Sequence, residues 1–399
     1  MNFLVLTTDY PPLIGGISRY SFHIAKNLSK FHRVTVVTPH IPGDNEFDQS
    51  QEFETIRVLN VPVIRELLFA YHIIQAHLQH PCDCLFNAMW FPCGILSFFL
   101  KKILNINYLV AAHASEMLDD TTTLKRRIKR LFKPLKLKTF RNASMNLPVS
   151  TYTRGKLLDL NIPAQRIAGL PNGVDIERLT PGFKDENLMK QYHIHDDTIV
   201  LLTVGRLDLH KGHDVVVQAL PLIQQQIPNV KYLIVGNGPE EDRLTALIAR
   251  VGMTSKVKMI EWVSDEDLVK YYRLCDVYVM PSREIFGRPD LVEGFGIAFL
   301  EANACAKPVV AGHSGGVPDA VIHGQTGLLV NPLSHEDVAS AVIRLCQDTA
   351  LAEELGQNGL KRCRETLNWP MISRKLVGIV QQINGQERCR VSQYEGRTL

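Results

Sequence analysis

Two carboxylates bracket a glycine-rich turn in the second half of the sequence. Glu293 begins the run Glu-Gly-Phe-Gly-Ile-Ala-Phe-Leu-Glu, and Glu301 ends it. The run follows a predicted strand and opens a predicted helix, where glycine lets a ligand approach the backbone and the unpaired N–H groups favour an anion. At about 1.5 Å per residue, Glu301 lies roughly 10 Å along the helix from the turn. The two acids would therefore contact different parts of an extended, phosphate-bearing ligand.

Two cations follow a predicted strand at 199–204. Gly205-Arg206 and Lys211-Gly212 lie in the loop after it, at a carboxyl end where open parallel sheets bind ligands. Two cations at that place can neutralise a diphosphate. The other interpretation of this loop is an ordinary exposed surface loop.

Three weaker signals accompany these residues. Gly15-Gly16 form a turn after the first predicted strand, and His113 follows the predicted strand 108–112. A histidine in that position is as often structural as functional. Gly236-x-Gly238-Pro239 follows the predicted strand 232–235 in the same way.

The elements that position these residues alternate between strands and helices. A strand at 3–6, a helix at 18–28 and a strand at 34–37 give a β-α-β order, which restarts at 199–204. Further strands are predicted at 257–260, 277–280, 308–310 and 327–330, with helices between them. We therefore predict an α/β protein with two doubly wound, Rossmann-like domains. The predicted ranges are 1–180, 181–368, a last helix at 369–385 that packs on the first domain, and a flexible tail at 386–399.

Composition excludes several classes of protein. With 45% hydrophobic and 21% charged residues, the chain is typical of a globular protein, and a net charge of +3 does not indicate nucleic-acid binding. The start of the chain reads as a buried strand and not a signal peptide, and the apolar stretch 86–100 reads as core. The eight cysteines show no zinc spacing, which favours reduced thiols and a cytoplasmic location.

Nearly the whole chain resembles the family 4 retaining glycosyltransferases. The resemblance rests on both acids, the cationic loop and the glycine pair, and the E-x7-E motif of the family matches Glu293 and Glu301. The resemblance implies two domains facing across a cleft, the GT-B fold. It implies that Arg206 and Lys211 bind the donor diphosphate and stabilise the leaving group, that Glu293 contacts the transferred sugar, and that His113 lines the sugar pocket. The implied donor-binding residues are Gly15, Gly16, Gly205, Gly236, Val263, Gly294, Phe295, Gly296, Ile297 and Glu301.

The same resemblance implies a reaction. The acceptor attacks on the face from which the diphosphate leaves, the anomeric configuration is retained, and neither a cofactor nor a metal is required. The long stretch 282–293 is similar to that of phosphatidylinositol mannoside and polysaccharide mannosyltransferases, which favours GDP-mannose and a lipid-linked or glycan acceptor. The alternatives are a UDP-hexose donor, a nucleotide-sugar 2-epimerase and a noncatalytic nucleotide-sugar binding subunit.

Two segments allow further interpretations. Asp265-x-Asp267 matches a metal-binding signature of other glycosyltransferases, but Ser264-x-x-Asp267 reads as a helix cap, which we favour. Between Lys125 and Arg141, nine of seventeen residues are Lys or Arg, with apolar residues interleaved. This segment is predicted to be helical up to Pro134. Its interleaved cations and apolar residues favour binding to an anionic surface at the inner face of the membrane. A solvated basic face or an anionic soluble acceptor are the alternatives.

Overall fold

In the computed structural model the chain forms two compact units, and the structure describes residues 1–117, 133–288 and 290–395. The first unit comprises residues 1–172 and 369–399, and the second comprises 173–368. The boundary lies before the predicted position near 180. Val174 already belongs to the second unit, because its backbone N–H donates to the carbonyl of Leu367 at 2.9 Å.

The first unit is built on a six-stranded parallel sheet in the order β3-β2-β1-β4-β5-β6. The strands are β1 Asn2–Leu6, β2 Arg33–Pro39, β3 Glu54–Val58, β4 Cys84–Asn87, β5 Tyr108–Ala112 and β6 Met145–Pro148. The helices are Gly16–Ser29, Asp44–Gln49, Ile64–Gln79, Ile95–Leu104, Ala114–Met117, Lys133–Asn142, Thr151–Asp159 and Trp369–Glu395, with a π-helical turn at Trp90–Gly94 and a 3-10 turn at Ala164–Arg166. Apart from the edge strand β3, the strands are mostly apolar and almost wholly buried, as expected of a sheet covered on both faces.

The second unit repeats this architecture in the order β12-β11-β10-β7-β8-β9, again all parallel. Its strands are β7 Ile199–Val204, β8 Val230–Val235, β9 Val257–Ile260, β10 Val277–Met280, β11 Val309–Gly312 and β12 Leu328–Val330. Its helices are Glu186–Gln191, His213–Gln226, Glu241–Arg250, Asp265–Leu274, Ile297–Ala304, Val317–Ala320, His335–Gln347 and Thr349–Glu365, with a 3-10 turn at Leu209–Lys211. Two doubly wound α/β sheets were predicted, and this prediction is confirmed.

Two helix predictions need correction. The last helix runs through Trp369–Glu395, so the backbone at 386–395 is helical where a flexible tail was predicted. Polar residues continue a helix that has already formed, because each added residue completes a hydrogen bond without needing a buried face. The basic segment was predicted to be helical up to Pro134, but the helix Lys133–Asn142 continues past this residue, because the Lys and Leu residues that follow it are strong helix formers. The part of that prediction before Lys133 lies outside the described residues.

The basic segment 125–141 is described only in part. Residues 118–132 lie outside the described residues, and the remainder of the segment is the first nine residues of the helix Lys133–Asn142. Among the helices of the described residues, none combines the length and the apolar character needed to cross a bilayer.

Candidate active site

Lys211 and Glu293 meet at the point where the strand order of the second sheet reverses. The strands β7 and β10 are neighbours, and the chain winds outward from them in opposite directions. Lys211 closes the 3-10 turn after β7, and Glu293 lies in the loop after β10. The Lys211 Nζ donates to the Glu293 Oε2 at 2.5 Å. Crevices at such reversal points bind ligands in open α/β sheets.

This ion pair is largely removed from solvent, since the Lys211 side chain is 18% exposed and that of Glu293 is 13% exposed. Burial alone would raise the pKa of Glu293. The Lys211 ammonium outweighs that effect through its charge and its hydrogen bond, and the pKa of Glu293 lies below its ordinary value. Glu293 is therefore ionised at neutral pH, and it fixes the position of the Lys211 ammonium.

Arg206 has a different environment from Lys211. Its side chain is 73% exposed, and its Nε lies 3.2 Å from Asp208 Oδ2. The neighbouring Gly205 lies beside Lys211, because a Cβ added there would be 4.0 Å from Lys211 Cε. The loop after β7 thus presents one largely buried cation, Lys211, and one exposed cation, Arg206.

The loops after β7 and β8 pack backbone against backbone. Gly236 has a φ of +141°, and a Cβ added there would lie 2.1 Å from the carbonyl oxygen of Gly205. Gly238 approaches the backbone of Leu207 in the same way, at 2.7 Å. No larger residue fits at Gly236 without moving the cationic loop. The structure therefore gives Gly236 a packing role beside the donor-binding role that the resemblance implies.

The glycine-rich run between the two acids forms the start of the helix Ile297–Ala304. Gly296 is the N-cap residue, in the left-handed region with a φ of +98°, and no side chain caps the helix. Phe295 is buried and anchors the turn, while Gly294 and Ile297 are partly exposed beside it. The first turn contains no acidic residue. Its backbone N–H groups and the positive end of the helix dipole can therefore accept a phosphate.

Glu301 lies farther along this helix and is almost completely buried. The hydroxyl of Tyr272 donates to its Oε2 at 2.6 Å. Tyr272 itself is fully buried in the helix Asp265–Leu274 and was not among the predicted site residues. Its hydrogen bond holds one carboxylate oxygen in place. The donor-binding role that the resemblance implies for Glu301 remains a prediction.

A buried ion pair that the sequence did not reveal supports the Lys211 turn. Arg283 Nη2 lies 2.8 Å from Asp214 Oδ2, and both side chains are about nine-tenths buried. The backbone N–H of Arg283 also donates to the carbonyl of His210 at 2.8 Å. Burial opposes ionisation of Asp214, but the bond to Arg283 holds its pKa below the ordinary value. The long stretch after β10 is thus attached to the residues on both sides of Lys211.

In the first unit, the predicted residues follow β1 and β5. Gly15 is the N-cap of the helix Gly16–Ser29, which has no side-chain cap and no acid in its first turn. A Cβ added at Gly15 or Gly16 would meet no atom within 4 Å, so packing does not require glycine at either position. The space beside this helix start is open.

His113 follows β5 and is buried, with the Tyr20 ring edge-on to its own at a centroid distance of 5.0 Å. Burial lowers its pKa to about 4, although a hydrogen bond with the Ala88 backbone raises it slightly. Within the described part of the chain, its Nε2 has no hydrogen-bond partner. His113 is therefore a neutral imidazole at pH 7, and its buried Nε2 can still exchange a hydrogen bond.

The segment between β9 and the helix Asp265–Leu274 carries Val263, which is partly exposed, and Trp262, which is 65% exposed. Ser264 caps that helix, because its hydroxyl accepts from the Asp267 N–H at 3.1 Å. The predicted cap is thus confirmed. Among the side chains that the structure describes, no group of three or more His, Cys, Asp or Glu is placed to hold a metal ion.

Two family models match the chain. One describes glycosyltransferase family 4 and matches residues 14–178, and the other describes glycosyl transferases group 1 and matches residues 184–362. Both Glu293 and Lys211 fall within the second match.

Similar proteins cover almost the whole chain. A GDP-mannose-dependent alpha-(1-6)-phosphatidylinositol monomannoside mannosyltransferase of Mycobacterium tuberculosis is 31% identical over 386 residues, covering 95% of this chain and 97% of the relative. The protein of the same name from Mycolicibacterium smegmatis is 29% identical, covering 92% and 94%. Sucrose-phosphate synthase from Thermosynechococcus elongatus has a similar structure, with a TM-score of 0.80 and 23% identity over 96% of this chain and 99% of that one. HepE of Anabaena in complex with UDP has a TM-score of 0.76 at 20% identity, covering 96% and 100%.

Proposed function

This chain belongs to glycosyltransferase family 4, and from that membership we propose that it transfers mannose from GDP-mannose to a lipid-linked or glycan acceptor with retention of configuration. The observation that carries the proposal is the Lys211–Glu293 pair at the strand-order reversal, beside the uncapped start of the helix Ile297–Ala304. A cation and a helix N-terminus in one place suit a pyrophosphate.

The proposed mechanism uses no protein nucleophile. The bond from the anomeric carbon to the diphosphate oxygen breaks, and the acceptor hydroxyl attacks from the same face. The departing phosphate oxygen takes the proton of that hydroxyl. Arg206, Lys211 and the helix dipole stabilise the negative charge that develops on the leaving group, which is the work of a metal ion in other enzymes.

His113 has a role consistent with its neutral state. An imidazole with a buried, unpartnered Nε2 can exchange a hydrogen bond with a sugar hydroxyl without adding charge. We propose this positioning role for the transferred mannose. Glu293 would hold both Lys211 and a sugar hydroxyl, since its second oxygen can accept a further bond.

The names of the mycobacterial relatives support GDP-mannose and a phosphatidylinositol-based acceptor. The basic segment 125–141 supports an acceptor at the inner face of a membrane, since its cations would meet anionic headgroups. A UDP-hexose donor is the second candidate, favoured by the similar fold of HepE, whose structure contains UDP.

A donor panel tests the proposal. The protein is incubated with GDP-mannose, UDP-glucose and UDP-N-acetylglucosamine, each with lipid extract and with simple sugars as acceptors, in the presence and absence of EDTA. We expect an α-mannosylated lipid from GDP-mannose alone, with EDTA having no effect. An epimerised nucleotide sugar would establish the epimerase alternative, and binding without any product would establish a noncatalytic subunit. Loss of transfer in EDTA would contradict the metal-independent mechanism.

A further inference from the structure

Two neighbouring helices of the first unit carry large apolar side chains on their outward faces. The helices Ile64–Gln79 and Ile95–Leu104 pack against each other, and their inward faces supply core residues such as Phe69 and Phe98. Six large apolar side chains on the outward faces are between 46% and 73% exposed. This outer apolar surface consists of Ile64, Leu67, Tyr71, Leu78, Phe99 and Ile103.

The spacing of these residues makes the surface continuous along each helix. Ile64, Leu67 and Tyr71 are three and four residues apart, and Phe99 and Ile103 are four apart, so each set lies on one face. The loop before the first helix adds the exposed Leu59, Val61 and Val63. A surface helix normally turns its apolar face inward and a polar face outward. Contiguous exposed apolar patches on soluble proteins mark surfaces that bind something.

Two helices beside this surface carry cations and no acids. The helices Ile95–Leu104 and Lys133–Asn142 pack against each other and contain no acidic residue. They present the exposed cations Lys102, Lys133, Lys138 and Arg141. The one acid of the helix Ile64–Gln79, Glu66, is paired with Arg65 at 2.5 Å. Apolar side chains flanked by exposed cations are complementary to an anionic lipid interface, where apolar groups enter the acyl boundary and cations meet phosphates.

We propose that the outer apolar surface, with its flanking cations, docks this protein on an anionic bilayer. The inference deepens the proposed function. It rests on that function because the lipid-linked acceptor gives docking on a membrane its purpose. It moves the main contact from the basic segment 125–141 to the outward faces of two well-packed helices. The described part of the basic segment, in the helix Lys133–Asn142, then contributes charge beside the docked surface.

Vesicle flotation tests this proposal. Full-length protein is mixed with vesicles of phosphatidylcholine alone, or of phosphatidylcholine and phosphatidylglycerol in equal parts, at low and high salt. The test variant is Leu67→Glu with Ile103→Glu. The matched control is Leu333→Glu, because Leu333 is 73% exposed, as Ile103 is, but belongs to the second unit. Both variants change exposed side chains, and their thermal unfolding should match that of the wild type.

We expect the wild type and the control to bind the anionic vesicles in a salt-sensitive way, and the double variant to bind at least about tenfold more weakly. Equal binding by the double variant, or no binding by the wild type, would overturn the proposal. Dimers of the wild type that the double variant abolishes, without vesicle binding, would assign the surface to a second copy instead.

A parallel transfer assay with detergent-dispersed lipid acceptor separates this inference from the proposed function. The double variant should transfer mannose there at the wild-type rate, because Leu67 and Ile103 are exposed side chains that are not among the residues assigned to the site. Vesicle binding without transfer from any donor would refute the proposed function and leave the docking surface intact. Mannose transfer by a wild-type protein that binds no vesicles would support the proposed function and refute the docking surface.

Discussion

Substitutions at the Lys211–Glu293 pair should affect stability and activity differently. At 2.5 Å and an effective dielectric constant of about 20, the two charges attract by roughly 7 kcal/mol, from which the cost of desolvating both ions must be subtracted. Lys211→Met leaves a carboxylate that is 13% exposed without its cation. We expect this variant to lose about 3–5 kcal/mol of unfolding free energy, because an unpaired buried charge is costly.

Glu293→Gln should be destabilising for the same reason, since it leaves the ammonium unpaired. The double variant removes both charges, and it should therefore be more stable than either single variant. Urea unfolding of the four proteins gives the coupling energy directly. Turnover should fall by about 10²–10³ in Lys211→Met and should not recover in the double variant, because the leaving group has lost its cation. Additive destabilisation, with no coupling, would refute the electrostatic reasoning. Near-normal turnover in both Arg206→Ala and Lys211→Ala would end the account of leaving-group stabilisation.

Four further predictions concern single residues. Arg283→Met should lower kcat with little change in the donor KM, because Arg283 holds the Lys211 turn through Asp214 and the His210 carbonyl, and Arg283→Lys should recover part of the rate. Equal losses in Met and Lys variants, tracking only a lower melting temperature, would leave Arg283 a purely structural role. Gly236→Ala should lower the free energy of unfolding by about 3 kcal/mol or more, since its Cβ would overlap the Gly205 carbonyl. Gly15→Ala should melt like the wild type, because a Cβ there meets no atom within 4 Å, but it should raise the donor KM. An unchanged KM in Gly15→Ala would separate that glycine from the donor. His113 has a folded pKa of about 4 against about 6.5 unfolded, so the unfolded chain binds the extra proton and stability falls as the pH drops from 6.5 towards 4. His113→Gln should flatten that fall by about 1.4 kcal/mol per pH unit in urea titrations, and an unchanged slope would contradict the buried neutral state.

The strands that the sequence predicted most clearly are the continuous apolar ones. The runs at 3–6 and 199–204 are buried on both faces, so every residue contributes to the signal. The strand β3, Glu54–Val58, was not predicted. It lies at the edge of its sheet and mixes Glu, Thr and Arg with two apolar residues, which gives neither a run nor a clear alternation.

The site was predictable where residues lie close in the chain. Both acids and both cations were identified from short motifs, but the pairing of Lys211 with Glu293 joins residues 82 positions apart. Arg283 and Asp214 are 69 positions apart and belong to no short motif, so only the folded structure brings them together. Tyr272 likewise resembles any core tyrosine until its hydroxyl is placed on Glu301.

The path of the chain between the two units determines which unit is completed first during synthesis and which unit can be separated from the other. The second unit is one continuous segment, and its ends lie side by side through the bond from Val174 to Leu367. The first unit is interrupted, because the Trp369 ring packs against Tyr20 and stacks on His23 only after the second unit has been made. During synthesis, all residues of the second unit are therefore made before the last helix of the first unit, Trp369–Glu395. We therefore expect residues 173–368 to fold when expressed alone, because their ends are neighbours, whereas a truncation before Trp369 leaves the aromatic side chains of the helix Gly16–Ser29 uncovered.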